Sequence, residues 1–327
     1  MRKWVLCKVS REIDYLHYII KLTNAQNKDN ISRTKAYQKY YFKNPEIRWA
    51  LLASVVSRNA GWNMTDLATP SFKTILGDAE REHLFMTYER ANWLIFSDAY
   101  PQLLIYSLSK RNQEAQFHLL KHFHVSTFMM QEWYQFWKTQ DKNRLMNALI
   151  INEQNVIEKP VIQQPFFKRE VFHHAPYLMQ NIFHMSAVLM PTKTNGLHGL
   201  FVKGFTNVSK RIMFGKNIAS ILFSTRVYPA LLDFITKVEH TGSRCDYERY
   251  MYFPTSNSPM LRRIYPIITH QDKVRKEWYR RGRMKSNWIY HVPEIKDSEI
   301  TNAFRIKRVL LDKYANIKNM RYKKDLF

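Results

Sequence analysis

Apolar residues at helical spacing, lying between residues that start and end helices, constrain this chain more than any other feature of its sequence. Pro45 marks a helix start, and Ile47, Leu51 and Val55 then recur about one helical turn apart. Further apolar residues surround the rest of this helix, which predicts that most of its circumference is covered. Gly61 is expected to end it.

A longer helix is predicted after Asp78, which is expected to cap it. Leu84, Tyr88 and Ile95 repeat at helical spacing, and Pro101 is expected to break or restart the helix. Further helices are predicted over residues 126–139, 141–158, 208–224 and 227–238.

One segment has the pattern of a strand. In LHGLFVKGF, residues 197–205, Leu200 and Val202 alternate with Phe201 and Lys203 between turn residues. The pattern along the whole chain therefore predicts a mainly α fold, a globular multi-helix domain with at most one or two short β-strands in the C-terminal half.

The region 158–173 is loosely patterned and contains Pro160 and Pro165. A chain of 327 residues fits either one large domain or two of ordinary size. We interpret this region either as a joint between an N-terminal and a C-terminal half or as a long connection.

The excess of positive charge limits the class of partner. The chain has 51 Lys or Arg and 27 Asp or Glu, a formal charge of +24, and residues 260–327 hold 18 of the former and 7 of the latter. A field of this sign attracts nucleic acid, acidic lipid headgroups or acidic proteins without choosing among them. We predict a polyanionic partner, either nucleic acid or acidic headgroups, and leave the oligomeric state open.

The C-terminal segment 262–288 mixes cations with aromatic residues. Tyr265, Trp278, Tyr279 and Trp288 can stack on bases, or lie at the level of lipid headgroups. A solvated basic face is the alternative. The predicted contacts with the anionic partner are Arg262, Arg263, Lys273, Arg275, Lys276, Arg280, Arg281 and Arg283.

The remaining features bear on location. Cys7 and Cys245 make no disulfide framework, which favours a reducing compartment. No signal peptide is recognised at the N-terminus, and the least charged stretch, 173–192, favours a buried helix over a membrane span. We expect a cytoplasmic protein, peripheral to the membrane or the nucleoid if its partner lies there.

Common sequence signatures of catalytic and nucleotide-binding sites are absent from this sequence. There is no GxGxxG, HExxH, GxSxG or paired CxxC, and the P-loop spacing at Gly199 and Gly204 lacks its lysine. His122 and His124 would share one face of an extended segment, but a metal needs more ligands than two. They are interpreted as polar residues at a helix end, and neither a metal nor a cofactor is predicted.

Three polar segments are candidates for a site. The first, 57–67, holds Arg58, Asn59, Asn63 and Asp66 near a predicted helix end. Amides and an arginine in such a place can bind an anion or a sugar hydroxyl by directed hydrogen bonds. They can equally form a network that ties two helices together.

The second segment, 89–98, contains Glu89, Asn92 and Asp98, and Asn92 falls on the apolar stripe of its helix. These residues fit a cleft shared with the first segment, or buried structural ion pairs. The third segment, 239–248, contains His240, with Arg244 and Asp246 close by, where an acid, a base and a cation can tune one another's pKa. A solvated turn is the alternative.

Four blocks of the chain resemble a known family: SRTKAYQKYYFKNPEIRWALLASVVSRNAGWNMTDL, ERANWLIFSDAYPQLLIYSLSKR, HFHVSTFM and HTGSRCDYERY. They resemble the uncharacterised Firmicute group known as domain of unknown function family 2515. The resemblance implies a cytoplasmic bacterial protein with one family domain over 31–285, preceded by a helical lead-in (1–30) and followed by a basic helical extension (286–327). It implies no activity, but it suggests the polar blocks 58–66, 89–98 and 240–248 as the place of any site.

Two functions remain open on the sequence alone. The first is a non-catalytic protein that binds nucleic acid or an acidic membrane through its C-terminal basic and aromatic segment. The second is an enzyme, a hydrolase or transferase, acting on an anionic substrate in a cleft formed by 57–67, 89–98 and 239–248. In that enzyme the substrate anchors are Arg58, Asn59 and Asn63, and the acid and base come from Glu89, Asp98 and His240.

Overall fold

A computed structural model describes residues 2–172, 187–194, 196–252, 256–271, 275–280, 282, 284–290 and 298–324. In these ranges the α-helices are α1 (Arg2–Gln26), α2 (Asn30–Lys43), α3 (Arg48–Asp66), α4 (Pro70–Ile75), α5 (Asp78–Asn112), α6 (Thr127–Thr139), α7 (Lys142–Val156), α8 (Pro165–Phe167), α9 (Val208–Leu222), α10 (Val227–Lys237), α11 (Cys245–Glu248), α12 (Leu261–Ile264), α13 (Ser286–Tyr290) and α14 (Thr301–Lys324). Phe117–Phe123 forms a 3₁₀ helix, and Glu158–Ile162 and Lys168–Phe172 form π-helical turns. The predicted mainly α fold is confirmed.

The sheet is a single antiparallel hairpin of β1 (Ala187–Pro191) and β2 (Leu197–Phe201), in which Leu189 lies opposite Gly199. The strand predicted at 197–205 is thus confirmed for residues 197–201, and residues 202–205 are not part of it. A side chain at Gly199 is excluded, because its φ is +146° and a Cβ would lie 2.0 Å from the carbonyl oxygen of Val188.

The predicted helix over 173–192 is wrong for its last residues, which form β1, while 173–186 lie outside the described residues. All five residues of β1 are buried. A strand covered on both faces reads as a continuous apolar run, which periodicity alone does not separate from a buried helix.

Helix α3 does not end at Gly61 but continues to Asp66. Here the glycine serves close packing instead of termination: a Cβ at Gly61 would lie 2.5 Å from Oδ1 of Asn30 and 3.1 Å from Cε1 of His240. The expected covering of this helix is confirmed, since Trp49, Trp62 and most of their neighbours along α3 are buried.

Helix α5 likewise continues through Pro101. A proline removes one backbone donor, which frees the carbonyl four residues earlier, that of Ser97. Nη2 of Arg275 lies 3.4 Å from this oxygen. A cation from the C-terminal part of the chain therefore contacts the carbonyl that the proline leaves free.

Helices α6 and α7 begin where the sequence predicts. Ser126 caps α6 by accepting a hydrogen bond from the backbone N–H of Met129 at 3.3 Å, and Asp141 caps α7 by accepting from Asn143 and Arg144.

The largest cluster of buried apolar residues draws on both sides of the predicted joint at 158–173. It includes Trp49 of α3, Trp133 of α6, Leu189 of β1 and Phe234 of α10. The boundaries predicted for the lead-in, the domain and the extension stay predictions.

Among the described helices none is both long and apolar enough to cross a membrane alone. Helices α9 and α10 reach the required length and composition only when joined, and they meet at an angle of 88°.

Candidate functional site

Two of the three predicted polar segments meet in the interior. Nε of Arg244, at the start of α11, donates to Oδ2 of Asp66 at 2.6 Å, and Nη2 donates to Oδ1 of Asn63 at 2.9 Å. Nη1 of the same arginine donates to the hydroxyl of Tyr247 at 2.9 Å. Segments 57–67 and 239–248 are thus joined by a buried guanidinium, 1% exposed.

His240 lies at the centre of a second buried group. Its Nε2 is 3.1 Å from Oδ1 of Asn30, whose own amide nitrogen donates to the carbonyl of Ser57 at 2.7 Å. Asn30 Oδ1 is therefore the acceptor and Nε2 the donor. The other ring nitrogen, Nδ1, is 3.5 Å from Oδ2 of Asp246.

Asp246 is held by several donors. Its Oδ2 accepts from the indole N–H of Trp62 at 3.3 Å and from the backbone N–H of Thr241 at 3.0 Å, while Oδ1 accepts from the Thr241 hydroxyl at 2.5 Å. Burial raises the pKa of Asp246, but the contact with the His240 ring and the hydrogen bonds from Thr241 outweigh it and leave that pKa below its usual value. The residue is a carboxylate at neutral pH.

Burial acts in the opposite direction on the imidazole. It lowers the pKa of His240 to about 4, although the Asp246 carboxylate favours the protonated form, and the nearby cations Arg58 and Lys35 lower the pKa further. At neutral pH His240 is therefore uncharged.

Arg58 lies beside this group with an unusual environment for a buried arginine. Its Nη1 and Nη2 lie 3.3 and 3.4 Å from one acceptor, the carbonyl of Val238, and Nε is buried without a partner. Arg58 and His240 both line a groove between α2 and the end of α10.

The amide of Asn59 is engaged by the backbone. Its Oδ1 accepts from the N–H of Leu189 at 2.7 Å, and its Nδ2 donates to the carbonyls of Leu189 at 2.8 Å and Val55 at 2.9 Å. This amide positions the hairpin against α3.

The remaining predicted segment, 89–98, has other partners. Glu89 forms a buried ion pair with Arg33 of α2, and its Oε1 is 3.5 Å from Nε2 of His270. Burial raises the pKa of Glu89, but the charge and hydrogen bond of Arg33 and the contact with His270 together outweigh it and lower that pKa. Asn92 donates to the carbonyl of Tyr88, on its own helix, at 2.8 Å.

Asp98, 2% exposed, accepts hydrogen bonds at 2.6 Å from the amides of Gln102 and Asn152. Neither Asp98 nor Glu89 is among the residues that line the groove next to His240. Of the anchors and acid or base residues predicted for a shared cleft, Arg58 and His240 line this groove, whereas Asn59, Asn63, Glu89 and Asp98 do not.

The C-terminal cations divide into two kinds. Arg262 forms an ion pair with Asp29 at 2.6 Å, and Arg275 donates to the carbonyl of Phe123 at 2.8 Å. Exposed to solvent are Arg263, Lys276 and Arg280. The predicted contacts Lys273, Arg281 and Arg283 lie outside the described residues.

The aromatic residues of the same segment are directed into the protein. Tyr265 stacks on Phe85 at 3.8 Å between ring centroids, Trp278 donates to Oδ1 of Asn152 at 2.9 Å, and Trp288 is 7% exposed. Tyr265, Trp278 and Tyr279 are half-buried and Trp288 is buried, so packing already takes up part of the ring surface that stacking on bases would need.

His122 and His124 are exposed at the end of the 3₁₀ helix, so the extended segment that would pair them is not formed. Among the described residues no group of three or more potential metal ligands comes together.

Sequence reasoning missed Asn30, Arg33 and His270. Asn30 and Arg33 lie on the N-terminal turns of α2. Arg33 donates to the nearby Asn27, but their other partners, Ser57, Glu89 and His240, are 27 to 210 residues away in sequence. The Asp29 cap of α2 was the only local signal in this region.

The fold and the site define a mainly helical protein whose centre is crossed by buried ion pairs, with a basic groove beside them. The chain belongs to the family described as protein of unknown function DUF2515, which matches residues 25–305. It is 44% identical over 294 residues to the uncharacterized protein YppC of Bacillus subtilis (strain 168). This alignment covers 90% of this chain and 92% of the relative. No solved structure matches it. The family resemblance predicted from the sequence blocks is thereby confirmed.

Proposed function

We propose that this protein is a non-catalytic binding protein that docks on acidic membrane surfaces through its C-terminal helix, α14. The observation that carries the proposal is the outward face of α14. Exposed there are five large apolar side chains, Ile306, Val309, Leu310, Ile317 and Met320, between 45% and 67% accessible.

The opposite face of α14 is the one that packs on the protein. Phe304, Leu311 and Ala315 are at most 4% exposed, and at about 100° per residue the outward apolar side chains lie across the helix from them. The exposed stripe is therefore left over after folding and does not belong to the core.

The charge of the helix suits an acidic surface. Residues 301–324 contain eight Lys or Arg and one Asp, and Lys313 is exposed within the apolar stripe itself. A helix with this composition lies in a membrane interface, with its apolar side chains below the headgroups and its cations beside the phosphates.

The alternative anionic partner, nucleic acid, fits this face less well. Phosphate contacts are made by polar and cationic groups, whereas large aliphatic side chains in a row have no counterpart on a phosphate backbone. Two of the aromatic residues that could stack on bases, Trp278 and Tyr265, are half-buried and already pack against Phe128 and Phe85. Acidic lipid is therefore the partner that we propose.

Vesicle flotation tests the proposal with the full chain. We expect the protein to float with vesicles of equal parts phosphatidylglycerol and phosphatidylcholine, to stay behind with pure phosphatidylcholine, and to dissociate as salt rises from about 50 to 300 mM. The variant Leu310→Asp/Ile317→Asp should reduce binding at least tenfold.

The matched control is Ile267→Asp. It replaces an apolar side chain that is 59% exposed but lies outside α14 by a carboxylate. It should bind vesicles as the unaltered chain does. Retention of duplex DNA but not of acidic vesicles would contradict the proposal in favour of nucleic acid. Dimer formation that disappears in the α14 variant, without vesicle binding, would assign the stripe to a second copy of the chain.

A further inference from the structure

A groove of about 590 Å³ lies between α2 and the C-terminal end of α10, and its floor includes Arg58 and His240. The two walls are joined by the hydrogen bond from Gln38 to the carbonyl of Ile235 at 2.9 Å and by the ion pair of Lys35 with Glu239 at 2.9 Å. Its size falls within the range of about 300 to 1,000 Å³ that small-molecule sites occupy.

The floor holds a cation that forms no ion pair with any residue the structure describes. Arg58 is 3% exposed. The carboxylate of Asp246 acts on its charge from a longer distance and is itself held by Trp62 and Thr241. The hydrogen bonds of Arg58, at 3.3 and 3.4 Å, share a single carbonyl, and its Nε has none. Buried charges are ordinarily paired, because the cost of taking them out of water must be offset.

The ring of Phe234 is the other neighbour, with the Arg58 guanidinium carbon 5.7 Å from its centroid. Burial lowers the pKa of Arg58 to about 10, so the side chain remains charged at neutral pH. The site thus keeps a positive charge whose Nε has no hydrogen-bond partner among the described residues and whose Nη1 and Nη2 share one carbonyl.

The rim adds cations in a row. Lys35, Lys39 and Lys43 are four residues apart on α2, so they lie on one face and extend over about 12 Å. Lys39 and Lys43 are exposed and form no ion pair with any other residue that the structure describes. Glu239 is the only carboxylate among the residues that line the groove, and it is paired with Lys35.

We propose that this groove binds a small organic phosphate, with the phosphoryl group between Arg58 and the lysines of α2. The guanidinium presents parallel N–H donors that match the oxygens of a phosphate, which is a stronger acceptor than the shared carbonyl of Val238. The rest of the ligand lies against Phe42, whose side chain is 48% exposed on the wall of the groove.

Calorimetric titration of the full chain with phenyl phosphate and with inorganic phosphate, at about 150 mM salt, tests this assignment. We expect phenyl phosphate to bind at least tenfold more tightly than inorganic phosphate. Phe42→Ser should remove that difference without changing the affinity for inorganic phosphate.

The variant Lys39→Gln/Lys43→Gln alters only exposed side chains and should weaken phenyl phosphate binding at least tenfold. The matched control, Lys138→Gln/Lys142→Gln, makes the same charge change on exposed lysines of α6 and α7 and should have less than a twofold effect. Arg58→Lys keeps the charge, loses the parallel donors, and should also weaken binding at least tenfold.

The rim variant decides the question even if Arg58→Lys fails to fold. Equal losses of phenyl phosphate affinity in the rim variant and its control would overturn the proposal, because they would show that the ligand is attracted only by the overall charge of the protein. Absence of phenyl phosphate binding, or equal affinity for the two probes, would overturn it as well. The rim variant should still float with acidic vesicles, so this result is independent of the membrane proposal.

Discussion

Arg244 and Asp66 form an ion pair in the interior, with 2.6 Å between Nε and Oδ2 and side chains that are 1% and 5% exposed. The same Oδ2 lies 3.4 Å from Nη1 of Arg308 on α14, and the Arg244 guanidinium carbon lies 5.4 Å from the ring centroid of Phe304. This pair therefore links α3, α11 and the C-terminal helix.

Replacing one member of this pair should be costly. Arg244→Met leaves the Asp66 carboxylate buried with only Arg308 nearby, and we expect the free energy of unfolding to fall by about 3 to 5 kcal/mol. Urea denaturation gives this value. Arg169→Met, at a side chain that is 77% exposed, is the control and should change the free energy by less than about 1 kcal/mol. A similarly small loss for Arg244→Met would contradict the prediction.

Gly61→Ala should destabilise the protein, although Ala is normally the better helix residue by about 1 kcal/mol. The added Cβ would meet Oδ1 of Asn30 at 2.5 Å and the ring of His240 at 3.1 Å. We expect a loss of about 1 to 3 kcal/mol in the free energy of unfolding. In the background Asn30→Ala the same substitution should cost less, and purely additive effects would show that the two residues are not in contact.

His240 makes stability depend on pH. Its pKa is about 4 in the folded protein and near its usual value of 6.5 in the unfolded chain. Between these values the unfolded chain binds the proton more readily, so stability should fall as the pH drops from 6.5 to 4 and level off below 4. His240→Gln should flatten this part of the profile, as measured by urea denaturation at each pH. An imidazole pKa above 6.5 by NMR titration would show that Asp246 outweighs burial.

Asn59→Ala should loosen the hairpin. The substitution removes both partners of the buried backbone of Leu189, and each unsatisfied group costs about 1 to 3 kcal/mol. Hydrogen exchange should accelerate at Leu189 more than in α6. Asn155→Ala is the matched control, because that amide donates only to the carbonyl of Ile151 on its own helix. Unchanged exchange at Leu189 would show that the hairpin holds its place without Asn59.

The helices could be predicted where their signals are local. Ser126 and Asp141 cap α6 and α7 through backbone groups three residues away or fewer, and the sequence displays such contacts directly. Gly61 and Pro101 were misjudged, because each is accommodated by residues far along the chain. His240 packs against the glycine, and Arg275 contacts the carbonyl that the proline frees.

The candidate site shows the same limit. The sequence identified the polar segments that contain Arg58 and His240, but not the lysines of α2 that complete the groove with them. Lysines on a helix surface are common, and only the packing of α10 beside α2 makes these lysines line a shared groove. Tertiary contacts of this kind leave no periodic trace in sequence.

Three acceptors in the first third of the chain each contact an arginine from the last third. They are the carboxylates of Asp29 and Asp66 and the carbonyl of Ser97. During translation these arginines are synthesised after the helices that they contact. Until Arg244, Arg262 and Arg275 leave the exit tunnel, the early helices hold acidic and carbonyl groups without their final partners, so full stability waits for the end of translation.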